Sequence, residues 1–207
     1  MKVIIDGFEN LVFPEENETL GEFLVQLEEW IKNNRKVIVK VKLEGKTLGE
    51  EQKKIIYNRK VNEFEVLEVF TANPWQWAID SLEEMKVYLP EISSKMEKVG
   101  FFIQQGNYKK ALSLLERYIG LWDEINETLR KIGNVFGLDY TRIFLNEEKA
   151  SCKMKELLEY LEEAKRAIQE NDLLALADIL EYELAPRIKD ERKLVQEIIN
   201  VLKCQMN

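Results

Sequence analysis

Histidine is absent from the 207 residues. Its absence removes the commonest general base and the commonest zinc and haem ligand. The two cysteines, Cys152 and Cys204, cannot make a four-cysteine metal site, and they fit a reducing compartment as ordinary helix residues. Nine glycines and four prolines are few for this length, which points to long helices and few loops. Nowhere does an apolar run reach the roughly 18 residues of a membrane span. The opening run Val3-Ile4-Ile5 stops at Asp6, too short for the apolar core of a signal peptide. A soluble, cytoplasmic protein without membrane contact is therefore expected. Glycine-rich phosphate loops and a Gly-x-Ser-x-Gly elbow are also missing, so neither a cofactor nor a metal is expected.

Composition supports a folded globular chain, with 45% apolar, 33% charged and 10% aromatic residues. A net charge of −8 opposes wholesale binding to nucleic acid or anionic lipid. Without histidine, carboxylates are the abundant acids and bases, and they occur in the pairs Glu50-Glu51, Glu83-Glu84, Glu147-Glu148 and Glu162-Glu163. Neighbours on a helix point about 100° apart, so such pairs read as solvated faces rather than a converging metal or acid–base site. Neither cysteine has a histidine to activate it. A non-enzymatic protein is expected, with a carboxylate-dependent enzyme as the remaining catalytic alternative.

Two periodicities divide the chain into 1–71 and 72–207. In the first part, Val3 and Ile5, then Leu11 and Phe13, suggest two strands around a turn from Asp6-Gly7 to Asn10. Thr19 is an N-cap for a helix with Phe23, Leu24, Leu27, Trp30 and Ile31 on one face, ended by Asn33-Asn34. Residues 36–43 alternate with period two, which puts Val37, Val39, Val41 and Leu43 on one face and Lys36, Lys40 and Lys42 on the other. A turn at Glu44-Gly45-Lys46, a short segment at Thr47-Leu48, a polar helical stretch at 50–57 and a strand near 64–70 complete it. This order, with the run Leu43-Glu44-Gly45-Lys46-Thr47-Leu48, resembles the ubiquitin-like β-grasp. The resemblance implies a fold and no activity, and the segment lacks the Gly-Gly tail of a conjugated modifier.

Beyond Ala72-Asn73-Pro74 the pattern is helical throughout. One helix is expected from Trp75 to Gln105, kinked or interrupted at Pro90, and a second along Tyr108, Ala111, Leu115, Tyr118 and Trp122. A third carries Met154, Leu157, Leu161, Ala164 and Ile168 in a coiled-coil spacing, and a fourth starts after Asn171-Asp172. Ile103-Gln104-Gln105-Gly106-Asn107 matches Ile168-Gln169-Glu170-Asn171-Asp172 at an offset of 65. Two related antiparallel hairpins, stacked as a four-helix bundle, are expected, making the whole chain α+β. Cys152 lies 19 residues before Asn171 and Cys204 lies 33 after it. They should sit roughly 20 Å apart along the hairpin as free, buried or half-buried packing residues.

Three sets of residues are candidates for binding. Trp75 and Trp77, beside the boundary, suit either a hydrophobic hinge or an exposed aromatic anchor. Tyr160 and Tyr182 fall beside the apolar stripes, where they would line a surface for another protein or for a second copy in a homodimer. Charge is uneven in the first part: 1–31 sum to −7 and 32–60 to +7. Lys36, Lys40 and Lys42, with Lys53 and Lys54 nearby, would make a basic face for RNA, although no aromatic interleaves the strand lysines. The leading expectation is an adaptor or chaperone-like binder of another protein, acting through the helices. RNA binding is the alternative.

Overall fold

The computed structural model describes residues 1–9, 11–49, 52, 55–145 and 148–206. Asn10, Glu50, Glu51, Lys53, Lys54 and Glu147, which enter the expectations above, lie outside the described residues. The chain is α+β: an N-terminal mixed sheet is followed by a helical region. It forms two compact units, Met1–Trp77 and Ala78–Asn207.

In the first unit, β1 (Lys2–Ile5) and β2 (Phe8–Glu9) are joined by Asp6-Gly7 with φ of 50° and 85°. Two left-handed residues in succession make a turn whose twist matches that of the strands. The chain therefore reverses at once and pairs Ile5 with Phe8. Leu11 and Phe13, expected in that strand, are exposed beyond it. β3 (Val37–Leu43) and β4 (Lys46–Thr47) use the same device at Glu44-Gly45, with φ of 52° and 76°. With β5 (Val66–Ala72) the sheet order is β2-β1-β5-β3-β4, parallel only between β1 and β5. Helix α1 (Leu20–Asn33) starts at a capping box: Thr19 Oγ1 accepts from Glu22 N–H at 3.2 Å, and Glu22 accepts from Thr19 N–H at 2.9 Å. Its apolar face, Leu20, Phe23, Leu27 and Ile31, shares one core with Val3, Ile5, Val41, Leu43, Leu67 and Val69.

A β-bulge alters the faces of β3. Ile38 pairs with Thr71 and Lys40 with Phe70, so Val39 is an extra residue with no partner on β5. Consecutive residues of β5 face opposite sides, so Ile38 packs on the core while Lys40 and Lys42 share the far face with Phe70. Strict alternation thus fails at Val39, which is 38% exposed, and Lys36 does not share a face with Lys40 and Lys42.

Helix α2 (Pro74–Gln104) opens with Asn73, whose side chain accepts from the N–H groups of Trp75 and Gln76. It runs without interruption through Pro90. It ends at Gly106 (φ 73°), where Gly106 N–H reaches Ile103 O and Asn107 N–H reaches Phe102 O, each at 2.9 Å. These two bonds are a Schellman cap. α3 (Tyr108–Phe136) follows. After a hairpin of β6 (Phe144–Leu145) and β7 (Glu148–Lys149), α4 (Ala150–Gln169) ends in the same cap with Asn171 at φ 54°. There Asn171 N–H bonds Ile168 O and Asp172 N–H bonds Ala167 O. The repeat read from the sequence is thus a repeated corner, atom for atom.

After the second corner the copies diverge. α5 (Leu173–Asp178) passes through a π-helical turn, Ile179–Leu184, into α6 (Ala185–Met206). Pro186 has no N–H to offer the carbonyl four residues back, and in the wider turn just before it Ala185 N–H bonds Leu180 O, five residues back. α2 runs antiparallel to this stretch: Gln104 meets Glu181, Ser93 Oγ donates to Ala185 O at 2.7 Å, and Lys86 Nζ donates to Gln196 Oε1 at 2.7 Å. α4 runs antiparallel to it as well, through Tyr160 with Glu183 and Arg187 with Glu156. Cys152 and Cys204 are free thiols, but both are exposed rather than packed inside. Ile168, the last residue of the expected apolar seam, is also exposed, at the corner where α4 ends.

Two glycines give opposite expectations for one substitution. An added Cβ meets nothing within 4 Å at either Gly106 or Gly120, so only the backbone decides. Gly106→Ala forces alanine into a left-handed cap and should lower stability by about 1–2 kcal/mol. Gly120→Ala, inside α3, should raise it by about 1 kcal/mol. Urea denaturation of both variants checks the pair.

Candidate functional site

The second unit carries a groove of about 690 Å³ between α2, the β6–β7 hairpin and α6. Pro90 from α2 and Phe144 and Leu145 from β6 make its apolar part, and Phe144 is 55% exposed. Lys86 faces it from α2, and Lys189, Arg192 and Lys193 face it from successive turns of α6. Two acids, Asp190 and Glu197, complete the charged lining, so cations are in excess in a chain of net charge −8. Lys193 is paired to Asp190 at 2.8 Å. Lys86, with a side chain only 20% exposed, is held by Glu83 at 2.9 Å and by Gln196 at 2.7 Å. Lys189 and Arg192 have no ionic partner among the described residues. The groove thus combines a preset ammonium, two uncommitted cations and an exposed aromatic ring.

The hairpin wall is fastened from behind. Tyr140, in the segment before β6, donates its hydroxyl to Leu129 O at 2.8 Å, and Ala150 N–H bonds Ile143 O at 2.8 Å. Lys153 on α4 reaches Glu148 of β7 at 2.6 Å. Lys153 is also the cation nearest in effect to Glu191, a glutamate of α6 that is only 7% exposed. Burial pushes the Glu191 carboxyl up to about 7, against the opposing pull of Lys153 and with a small further push from Asp190. Further along, Arg187 Nη1 stands 2.6 Å from Glu156 Oε2 as an ion pair, although that buried oxygen accepts no hydrogen bond, and Arg187 lies over the Tyr160 ring.

The residues singled out from sequence lie elsewhere. Trp75 and Trp77 are half-buried in the opening turn of α2. Tyr160 is half-buried, its hydroxyl raised above its ordinary pKa by the bond to Glu183, while Tyr182 is exposed beside Glu181. Lys36 is tied to Asp6 at 2.9 Å. Lys40 is exposed, and Lys42 lies over the Phe70 ring at 5.3 Å, an aromatic supplied by the neighbouring strand. Lys86, Phe144, Lys189 and Arg192 were not singled out. The basic spacing of Lys189, Arg192 and Lys193 was the available signal, but it resembles any solvated helix face. No group of three or more cysteine or acidic residues among the described residues is placed to hold a metal ion. No helix among them is long and apolar enough to cross a membrane.

The buried glutamate yields a pH dependence. The folded state holds the Glu191 proton more tightly than an unfolded chain, in which glutamate titrates near 4.5. Stability should therefore fall as pH rises from about 4.5 to about 7 and level off above. Glu191→Gln should stabilise the protein by roughly 3 kcal/mol at about pH 8 and change little at about pH 4.5, measured by urea denaturation at both.

Comparison with known families matches both parts of the chain. Residues 1–73 are similar to the family described as the TP0873 N-terminal domain. Residues 80–194 match the family described as a domain of unknown function, DUF8042. No curated protein and no solved structure matches the chain. Since the second match covers more than half of the 207 residues, the chain belongs to the DUF8042 family.

Proposed function

We propose that the protein is a non-catalytic, cytoplasmic adaptor or chaperone-like protein that binds another protein through its helical unit. The groove between α2, the β6–β7 hairpin and α6 carries this reading. It presents an exposed Phe144 beside Lys189 and Arg192, which have no ionic partner among the described residues. Aromatic anchors and arginines are the side chains enriched where proteins meet. In the same reading the first unit is a ubiquitin-like β-grasp, supported by the order β2-β1-β5-β3-β4 with a parallel central pair. The second is a four-helix bundle of two hairpins, supported by the repeated corner and the antiparallel pairing of α2 and α4 with the last helical stretch.

A second reading is RNA binding by the first unit. It is favoured by one observation, the Phe70 ring set beside Lys40 and Lys42 on the outer face of the sheet. Aromatic rings on a basic sheet are platforms for unstacked bases.

One experiment separates the two. The purified protein serves as bait in lysate of its source cells, with and without nuclease, alongside Lys189→Glu/Arg192→Glu and Lys40→Glu/Lys42→Glu variants. A nuclease-resistant protein that the groove variant loses and the sheet variant keeps is the expected result. Recovery of nucleic acid, lost with nuclease and with the sheet variant, would replace the first reading with the second.

A further inference from the structure

We infer that the groove takes an acidic, extended segment of a partner protein in which carboxylates alternate with apolar side chains. The inference rests on the interaction reading above and names the chemistry of the occupant. Charge complementarity is the first reason: four cations face the groove against two acids, the reverse of the balance of the whole chain. A cation fixed in place loses little freedom when an anion arrives, and Lys86 is already fixed by Glu83 and Gln196. Lys189 and Arg192 are three apart on α6, neighbours on one helix face, and are the groove cations without a carboxylate.

The apolar part is the second reason. Pro90, Phe144 and Leu145 offer a hydrophobic surface within the same groove, which a purely ionic ligand would leave wet. An extended chain places successive side chains on opposite faces, with alternate ones about 6.8 Å apart. Carboxylates on one face then meet α6, and the aliphatic side chains between them meet the hairpin and Pro90. The volume of about 690 Å³ suits a short segment, not a folded domain.

The test uses the full chain and three fluorescein-labelled peptides: alternating glutamate and leucine, alternating lysine and leucine, and glutamate alone. Fluorescence anisotropy should show binding of the glutamate–leucine peptide, weakening as salt is raised, and binding of the glutamate peptide weaker by roughly tenfold or more. The lysine–leucine peptide should not bind. Lys189→Glu/Arg192→Glu should weaken the glutamate–leucine peptide by at least about tenfold. Phe144→Ser should bring it down to the level of glutamate alone, and Lys40→Glu, in the other unit, should leave it unchanged. All substituted side chains are exposed, and circular dichroism checks that each variant folds. The inference is overturned if the lysine–leucine or glutamate peptide binds as well as glutamate–leucine, or if the groove variants change nothing. A single-stranded oligonucleotide or inorganic phosphate that displaces the peptide at comparable concentration overturns it too. Loss of a captured protein partner with the groove variant, alongside no glutamate–leucine binding, would sink the inference and leave the interaction reading standing. Loss of neither partner nor peptide would sink both.

Discussion

At Gly100 the backbone of α2 approaches the last helical stretch so closely that a Cβ there would stand 3.0 Å from the Ala177 carbonyl oxygen. The atom it would meet is backbone, so the seam at this point is set by a residue without a side chain. From this point α2 and the stretch from α5 to α6 run side by side, with Ser93 bonded to Ala185 O and Lys86 to Gln196 further along. Close packing multiplies weak dispersion contacts, and Leu82, Leu89 and Ile92 of α2 and Leu176, Leu180 and Leu184 of the last helical stretch are among the most deeply buried side chains. The π-helical turn at Ile179–Leu184 lies within this seam, and Ser93 donates to the carbonyl just beyond it. Ser93 thus ties the backbone next to Pro186 to α2.

The groove is a consequence of how the seam ends. On the N-terminal side of Pro90, Lys86 of α2 bridges to Gln196 of α6, and the β6–β7 hairpin forms the third wall. That hairpin is short, and two paired residues in each strand would not hold it in water. Its attachments are tertiary: Tyr140 to α3, and the Glu148–Lys153 pair to α4. Burying Glu191 near Lys153 costs stability above neutral pH, since desolvation outweighs the attraction of a single ammonium. One side of α6 thus carries a buried carboxyl while another presents uncommitted cations to solvent.

In the first unit the corresponding decision is made by one residue. Local signals are strong and mutually consistent there: the Thr19–Glu22 capping box, two tight turns, and apolar positions on α1 spaced three and four apart. The extra residue Val39 then redistributes the side chains of β3. Its effect on the basic face is direct, because Lys36 leaves for Asp6 and Phe70 arrives beside Lys42 from another strand. A face that reads as three lysines in a row becomes two lysines and a ring.

The sequence by itself determined the class α+β, the change from sheet to helix near Pro74, the cap at Thr19 and the repeated corner at Gly106 and Asn171. Each of these depends on neighbours within about five residues, where side-chain chemistry acts directly on the backbone. The candidate site was not legible in this way. Lys86, Phe144 and Arg192 are separated by scores of residues and carry no shared motif, so only packing brings them to one groove. The bulge at Val39, the burial of Glu191 and the exposure of both cysteines were likewise decided by tertiary structure. Periodicity states which side chains share a face of one element. What lies opposite that face depends on contacts between residues far apart in the chain.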